Sequence, residues 1–288
     1  MKFNKIIIIA TIVLSSLAGC QDKLEIVPEQ SVSDDAVFTT KQGAQAALNG
    51  VYSTAQLLNT FGAGPQTMED FQSDNVEFVG SFPTLQEIFQ YTTISTNVSV
   101  QGWWQDYYRI IMRANSIIDR VPGITESGFT DVQKKQMVAE AKFMRALTYL
   151  QLVNLFAQPV QINGGNNLGV PIVLKEFSGE VEFPARATVN EVHLQINKDL
   201  TEAIPDLPAT FATASDTRGR ATKGAAKSYL AKVYLFEDDF VNAEKYALEV
   251  INSSEYELEP EFTDANGVNG EFGVESVFEA GASNNEGG

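Results

Sequence analysis

The chain has 288 residues, of which 44% are hydrophobic and 10% are aromatic, a composition typical of a folded globule and not of a disordered protein. Its formal net charge of -17 argues against nucleic acid, anionic lipid head groups and acidic substrates as partners, because like charges repel. We interpret the acidic excess as a soluble, self-repelling surface. The chain contains a single cysteine, which excludes a disulfide within it, so the fold must rest on its hydrophobic core.

The first twenty residues have the order of a bacterial export signal. Lys2 and Lys5 precede an apolar run, and small residues then lead to Cys20. The run is shorter than the roughly 20 residues that a membrane-spanning helix needs, so residues 1–19 are predicted to be a cleaved signal peptide. The four residues Leu17-Ala18-Gly19-Cys20 resemble the bacterial lipobox. This resemblance implies that a diacylglycerol and a palmitate-type lipid are attached at Cys20. The alternative is an ordinary signal peptide that ends near a cysteine.

The segment after the cysteine is predicted to be a tether followed by a helix and a long loop. Residues 20–40 are polar and contain Pro28, as a tether does. From Gly43 to Leu58, apolar residues recur at helical spacing. Residues 59–102 then mix glycine, proline, acids and aromatics without a sustained period. Long irregular segments inside a domain are often functional, so we expect the binding region there.

Two long helices are predicted in the middle of the chain. Residues 103–121 carry two adjacent apolar stripes, which give one wide apolar face, and this spacing places Trp103 and Trp104 in the core. Thr130 and Gln133 have the spacing of a capping box and predict the start of a helix that runs to about residue 156. The second half of that helix is apolar nearly all round, so we expect it to be buried.

The remaining helices indicate the fold class. A second capping box, Thr188 with Glu191, begins a helix that ends before Pro205. Residues 220–258 then form a predicted helix pair, with turn and cap residues at Asp238-Asp239. The small and aromatic positions of this pair fit part of a tetratricopeptide repeat: Ala231, Tyr234 and Ala243. We predict a mainly α, tetratricopeptide-like helical-repeat domain with long irregular loops over residues 41–288.

The loop from Met68 to Pro83 offers the chemistry that sugars need. Flat apolar rings contact sugar C–H surfaces, and amide or carboxylate groups bind sugar hydroxyls. We predict ligand binding by two acids, an amide and two aromatic rings: Asp70, Asp74, Asn75, Phe78 and Phe82. The alternative for each phenylalanine is a small satellite core beneath the loop.

The sequence offers little that favours an enzyme. His193 is the single histidine, and we predict a structural role for it at the edge of a helix face, since no nucleophile pattern accompanies it. One histidine without a free cysteine fits none of the familiar metal-ligand spacings, so we predict neither metal nor cofactor. A glycosidase with paired carboxylates stays open as an alternative, because 37 acidic residues always contain some suitable pair.

Several segments together resemble the SusD/RagB family of outer-membrane lipoproteins in Bacteroidetes. They occur in the order typical of that family: the lipobox Cys20, Gly50-Val51-Tyr52, WWQDYYRIIMRANSIID, EAKFMRALTYLQLVNLF, and RATKGAAKSYLAKVYL with its partner helix. Glu275-Ser276-Val277-Phe278 resembles the short strand that follows in the family. Each segment alone is weak evidence for this resemblance, whereas the joint order of the segments along the mature chain is specific to the family.

The resemblance implies a location, a ligand and a partner. Family members sit on the outer face of the outer membrane, bind oligosaccharides or related nutrients, and cap a SusC-like, TonB-dependent transporter without catalysis. We therefore expect contact with the membrane through the lipid alone. Family chains usually continue beyond the length of this one, so we expect the sequence to be a fragment. The alternative is a helical-repeat scaffold lipoprotein that binds only protein during envelope assembly.

Overall fold

The computed structural model of the protein describes residues 34–280, apart from positions 63, 74, 181 and 267–269. The chain divides after Ala36 into a short unit and a large unit that begins at Val37. The predicted signal peptide, Cys20 and most of the predicted tether lie outside the described residues.

Helices dominate the described part of the chain, as the sequence predicts. Their bounds are α1 Asp34–Val37, α2 Lys41–Ala55, α3 Gly64–Phe71, α4 Pro83–Phe89, α5 Val98–Arg120, α6 Asp131–Phe156, α7 Val189–Ala203, α8 Ala214–Gly219, α9 Lys223–Phe236, α10 Phe240–Ile251 and α11 Phe262–Asn266. Short π or 3₁₀ segments cover Leu58–Gly62, Val121–Gly123 and Ile162–Gly165. Among the described residues there is no strand, and one isolated bridge joins Leu168 to Thr188. None of the helices described is both long and apolar enough to cross a membrane.

The predicted capping residues begin the helices where the sequence places them. The Thr130 side chain accepts a hydrogen bond from the Gln133 backbone N–H, and the Gln133 side chain accepts one from the Thr130 N–H. Thr188 and Glu191 form the same reciprocal box at the start of α7. Asp239 caps α10. These side chains satisfy backbone donors that would otherwise lack partners in the first helical turn.

Helix α6 lies at the centre of the fold and packs against α2, α5, α7 and α9. Its second half is largely buried, in agreement with its apolar sequence. The two predicted stripes of α5 also face the core, with Trp103 only 4% exposed and Trp104 packed edge-on against Phe156 at 5.0 Å between ring centroids. Trp103 is therefore a core residue, as predicted, and the partly buried Trp104 packs against the core.

A buried polar network ties α6 to α7 and α5. The Arg145 guanidinium donates to both carboxylate oxygens of Asp199, at 2.8 and 2.7 Å. It also donates to the Asn115 side-chain oxygen at 2.8 Å. The Asn115 amide in turn donates to the Val173 and Lys175 carbonyls, which fixes the long segment between α6 and α7 against the core.

A second network joins α2 to α6 and to the residues between α8 and α9. The Arg220 guanidinium donates to both oxygens of the fully buried Glu140, at 3.1 and 2.7 Å. The Tyr52 hydroxyl donates to Glu140 at 2.9 Å and accepts from the Ala221 N–H at 3.0 Å. Burial raises the pKa of the Tyr52 hydroxyl, and the Glu140 carboxylate raises it further, so this hydroxyl stays a donor.

Helices α9 and α10 pack against each other as a pair. Ala243 is buried, and the rings of Tyr234 and Tyr246 stack between the two helices at 5.8 Å with an interplanar angle of 2°. Asp238 has a φ of 58°, in the left-handed region, and forms the turn before the Asp239 cap. This geometry confirms the predicted helix pair and its turn.

Three local predictions were wrong. The segment 59–102 contains two short helices, α3 and α4, which are too short to show a sustained period in the sequence. Leu58 lies beyond the end of α2 and is 59% exposed. Residues 275–278 do not form a strand, although Val277 and Phe278 pack against the core.

Candidate functional site

The predicted ligand surface lies on the segment from Met68 to Pro83, here called the 68–83 surface, between the end of α3 and the start of α4. Asp70 sits in the last turn of α3, and its carbonyl accepts hydrogen bonds from the Ser73 backbone N–H at 3.1 Å and hydroxyl at 2.8 Å. The Asn75 N–H donates to the same Ser73 hydroxyl at 3.2 Å. These bonds hold a tight turn that leaves the Asp70 and Asn75 side chains exposed.

The aromatic residues of this surface divide into two kinds. Phe78 is half-buried and packs edge-on against Phe71 at 5.5 Å, and Phe71 contacts Phe89 of α4 at 6.5 Å. These three rings form a satellite core that joins α3 to α4. Phe82 instead precedes α4 as its N-cap residue and has 67% of its surface exposed. Of the two predicted rings, Phe82 is therefore the one more available to a ligand. The fifth predicted residue, Asp74, lies outside the described residues.

Tyr91 extends the exposed aromatic surface and was not singled out from the sequence. It is 70% exposed, has a φ of 56° and donates its hydroxyl to the Gln72 carbonyl. This bond joins the end of α4 to the end of α3. No local sequence signal identifies it, because the partner lies 19 residues away.

A buried asparagine fixes the base of the same region. The Asn97 side-chain oxygen accepts from the N–H groups of Ser99 and Val100 and so caps α5. The Asn97 amide nitrogen donates to the Thr84 carbonyl at 2.9 Å and to Glu87 at 2.8 Å. One side chain thus positions α4 relative to α5, which supports the 68–83 surface on a rigid element.

The sequence around this surface is rich in acidic residues. Between Lys41 and Arg109 the sequence contains no lysine or arginine, while it contains six acidic residues: Glu69, Asp70, Asp74, Glu77, Glu87 and Asp106. Acids accept hydrogen bonds from hydroxyl groups, and they repel carboxylates and sulfates. The region is suited to a hydroxyl-rich partner without negative charge.

The structure gives His193 a structural environment. The residue is 3% exposed, and its Nδ1 atom lies 3.0 Å from the Glu237 Oε1 atom. Within the described residues, no group of three or more His, Cys, Asp or Glu side chains is arranged to hold a metal ion.

These features define a tetratricopeptide-like helical-repeat protein with an exposed surface that is both acidic and aromatic. Comparison with known proteins then identifies its family. Residues 22–235 match the SusD-like family model whose description is "Starch-binding associating with outer membrane". The chain belongs to this SusD-like family.

Individual relatives agree with this assignment. SusD-like protein P2 of Formosa agariphila is 30% identical over 267 residues, which cover 91% of this chain and 49% of that protein. A SusD superfamily protein of Bacteroides thetaiotaomicron superimposes with a TM-score of 0.73 at 25% identity, over 85% of this chain and 53% of that one. A structure described as a laminarin binding SusD-like protein gives a TM-score of 0.70 at 26% identity, over 83% of this chain and 51% of that one. The chain spans about half the length of these relatives.

Proposed function

We propose that this protein is a non-catalytic, lipid-anchored glycan-binding protein of the bacterial outer membrane. In this proposal Cys20 carries the lipid, residues 20–40 form the tether, and the folded part faces outward. The protein captures an oligosaccharide and passes it to a SusC-like, TonB-dependent transporter. Family membership supports the proposal, because the family is described as starch-binding and one structural relative as laminarin binding.

One observation carries the binding part of the proposal. The exposed Phe82 ring lies on the same short segment of chain as the exposed side chains of Asp70 and Asn75. An aromatic face beside a carboxylate and an amide is the combination that binds a sugar ring and its hydroxyls. In this proposal Phe82 stacks on the sugar, Asp70, Asp74 and Asn75 bind hydroxyls, and Phe78 contributes its accessible edge.

The test is the affinity of the chain for neutral hexasaccharides, measured by isothermal titration calorimetry with maltohexaose and laminarihexaose. We expect Phe82→Ala to weaken binding of the preferred probe roughly two- to tenfold, because an aromatic contact contributes about 0.5–1.5 kcal/mol. Phe240→Ala is the matched control, since Phe240 is 62% exposed and lies on α10, away from α3 and α4. We expect the control to bind like the wild type.

Two outcomes would contradict the proposal. If the wild-type chain bound no neutral glycan in a broad panel and instead recovered only envelope-assembly proteins, the scaffold alternative would be favoured. If incubation with a glycan released new reducing ends, the protein would be a hydrolase.

A further inference from the structure

A cleft of about 350 Å³ lies beside the 68–83 surface, between the end of α6, the segment 157–161, α7 and the end of α9. This volume is within the range of about 300–1,000 Å³ that small-ligand sites occupy. Its lining contains a carboxylate, amides, an imidazole and an aromatic ring: Glu69, Asn154, Gln158, Gln161, His193 and Phe236. Glu69 belongs to the 68–83 surface and also lines the cleft, so the two adjoin each other.

The histidine of this cleft is held in one orientation. Glu237 Oε1 lies 3.0 Å from His193 Nδ1 and also accepts from the Asn197 amide at 2.9 Å. Because Nδ1 is engaged by this carboxylate, Nε2 is the ring nitrogen that is left for a ligand. Nε2 has no hydrogen-bond partner in the described part of the chain. A ligand hydroxyl in the cleft would supply one.

Each of the two glutamines that line the cleft has one end of its side-chain amide held by a hydrogen bond. Gln158 accepts a bond from the Asn167 amide at 2.6 Å, and this leaves the Gln158 NH₂ group free to donate. Gln161 donates to the Phe236 carbonyl at 2.6 Å, which leaves the Gln161 side-chain oxygen free to accept. Together with the exposed amide of Asn154, the cleft presents both donors and acceptors. Hydroxyl groups, which donate and accept at once, match such a mixed set.

The charge of the cleft narrows the ligand class. No lysine or arginine lines it, and Glu69 contributes a carboxylate. A uronic acid, sulfate or phosphate would meet repulsion without a compensating cation. The apolar part of the lining, including the Phe236 ring, suits the C–H face of a sugar.

We propose that this cleft is a second saccharide subsite, which binds uncharged sugar residues of the same glycan whose neighbouring residues lie on the 68–83 surface. The inference rests on the proposed function and adds to it a site and a ligand class. The bound glycan is a neutral oligosaccharide long enough to contact both Phe82 and the cleft. Oligogalacturonate of equal length binds more weakly than the neutral glycan.

The experiment fills the cleft with a large side chain. Asn154 is exposed on α6 and lines the cleft, so Asn154→Trp places an indole there without disturbing the core. Asn49→Trp is the matched control, because Asn49 is also an exposed helical asparagine and lies on α2, outside the cleft. Asn154→Ala, which removes only the amide, is the milder variant. The full chain is titrated with maltohexaose, laminarihexaose and hexagalacturonate, and thermal unfolding verifies that each variant is folded.

We expect Asn154→Trp to weaken binding of the preferred neutral hexasaccharide about tenfold and Asn154→Ala about threefold, while Asn49→Trp has no effect. If Phe82→Ala weakens binding but both Asn154 variants bind like the wild type, the subsite is disproved and the proposed function stands. Hexagalacturonate binding equal to that of the neutral glycan would disprove the ligand class. If no neutral hexasaccharide binds the wild-type chain, the proposed function and the subsite both fail.

Discussion

Arg220 is a side chain whose loss we expect to destabilise the fold strongly. It is the charged partner of Glu140, which is fully buried in the centre of α6. Replacing it by methionine keeps most of the side-chain volume but leaves a buried carboxylate with Tyr52 and the Gln136 amide as its remaining donors. We expect Arg220→Met to lower the free energy of unfolding by about 3–5 kcal/mol, measured by urea denaturation.

The matched control is Arg109→Met. The Arg109 side chain is 51% exposed and pairs with Asp106, which keeps a second hydrogen bond from the Asn59 amide. Asp106 is buried, but half of the Arg109 side chain is exposed to solvent and Asp106 keeps its Asn59 bond, so we expect the loss of Arg109 to cost roughly 0–1 kcal/mol. A loss of under about 1 kcal/mol for Arg220→Met, equal to that of the control, would show that Glu140 does not depend on its partner.

Individual polar contacts of this type could not be predicted from the sequence. Arg145 and Asp199 are 54 positions apart, and Tyr52 and Ala221 are 169 apart, so no local spacing reveals them. The sequence did predict the residues whose role depends on local periodicity, such as Trp103. It did not reveal Tyr91 or the cleft, because both depend on how distant segments meet.

The capping boxes of α6 and α7 differ in charge, and this difference predicts a different response to pH. In the α7 box the third helical residue is Glu191, and hydrogen bonds from the Thr188 backbone N–H and hydroxyl lower the pKa of its carboxyl. A carboxyl with a lowered pKa stabilises the folded state above its ordinary pKa, and this contribution disappears as pH falls through the folded-state value. The box should therefore weaken in acid.

We expect Thr188→Ala to cost about 1 kcal/mol at pH 7 and less as the pH is lowered below 4, measured by urea denaturation. Thr130→Ala is the control, because its partner Gln133 does not titrate. Its cost should stay at about 1 kcal/mol across the same pH range. Identical pH profiles for the two variants would refute the electrostatic part of the α7 cap.

At the level of helices, sequence patterns were reliable where an element is long and capped. Helices α5, α6, α7, α9 and α10 follow the predicted periodicity, with boundaries set by residues such as Thr130 and Asp239. Helices α3 and α4 were missed, because helices of 8 and 7 residues show barely two turns of pattern. Their stability comes from the Phe71–Phe78–Phe89 contacts and from Asn97, which are tertiary interactions.

For the molecule as a whole, the lipid anchor is the feature with the simplest test. If Cys20 carries the lipid, Cys20→Ala should release the protein from the membrane fraction while its thermal unfolding profile stays unchanged. The physical reason is that the acyl chains supply the membrane affinity, while the acidic surface is repelled by anionic head groups. Cell fractionation of a strain without the cognate transporter measures this directly. Continued membrane retention of the variant in that strain would contradict a lipid anchor.

The bond between the Tyr52 hydroxyl and the Ala221 N–H can form only late in the synthesis of the chain. The two residues are 169 positions apart, and ribosomes add roughly 5–20 residues per second, so this bond can form only on the order of ten seconds after Tyr52 is added to the chain. During that interval α2 lacks the bond that links it to the residues before α9. If the polypeptide is exported as we predict, this delay favours an incompletely folded chain at the time when it would still have to cross a membrane.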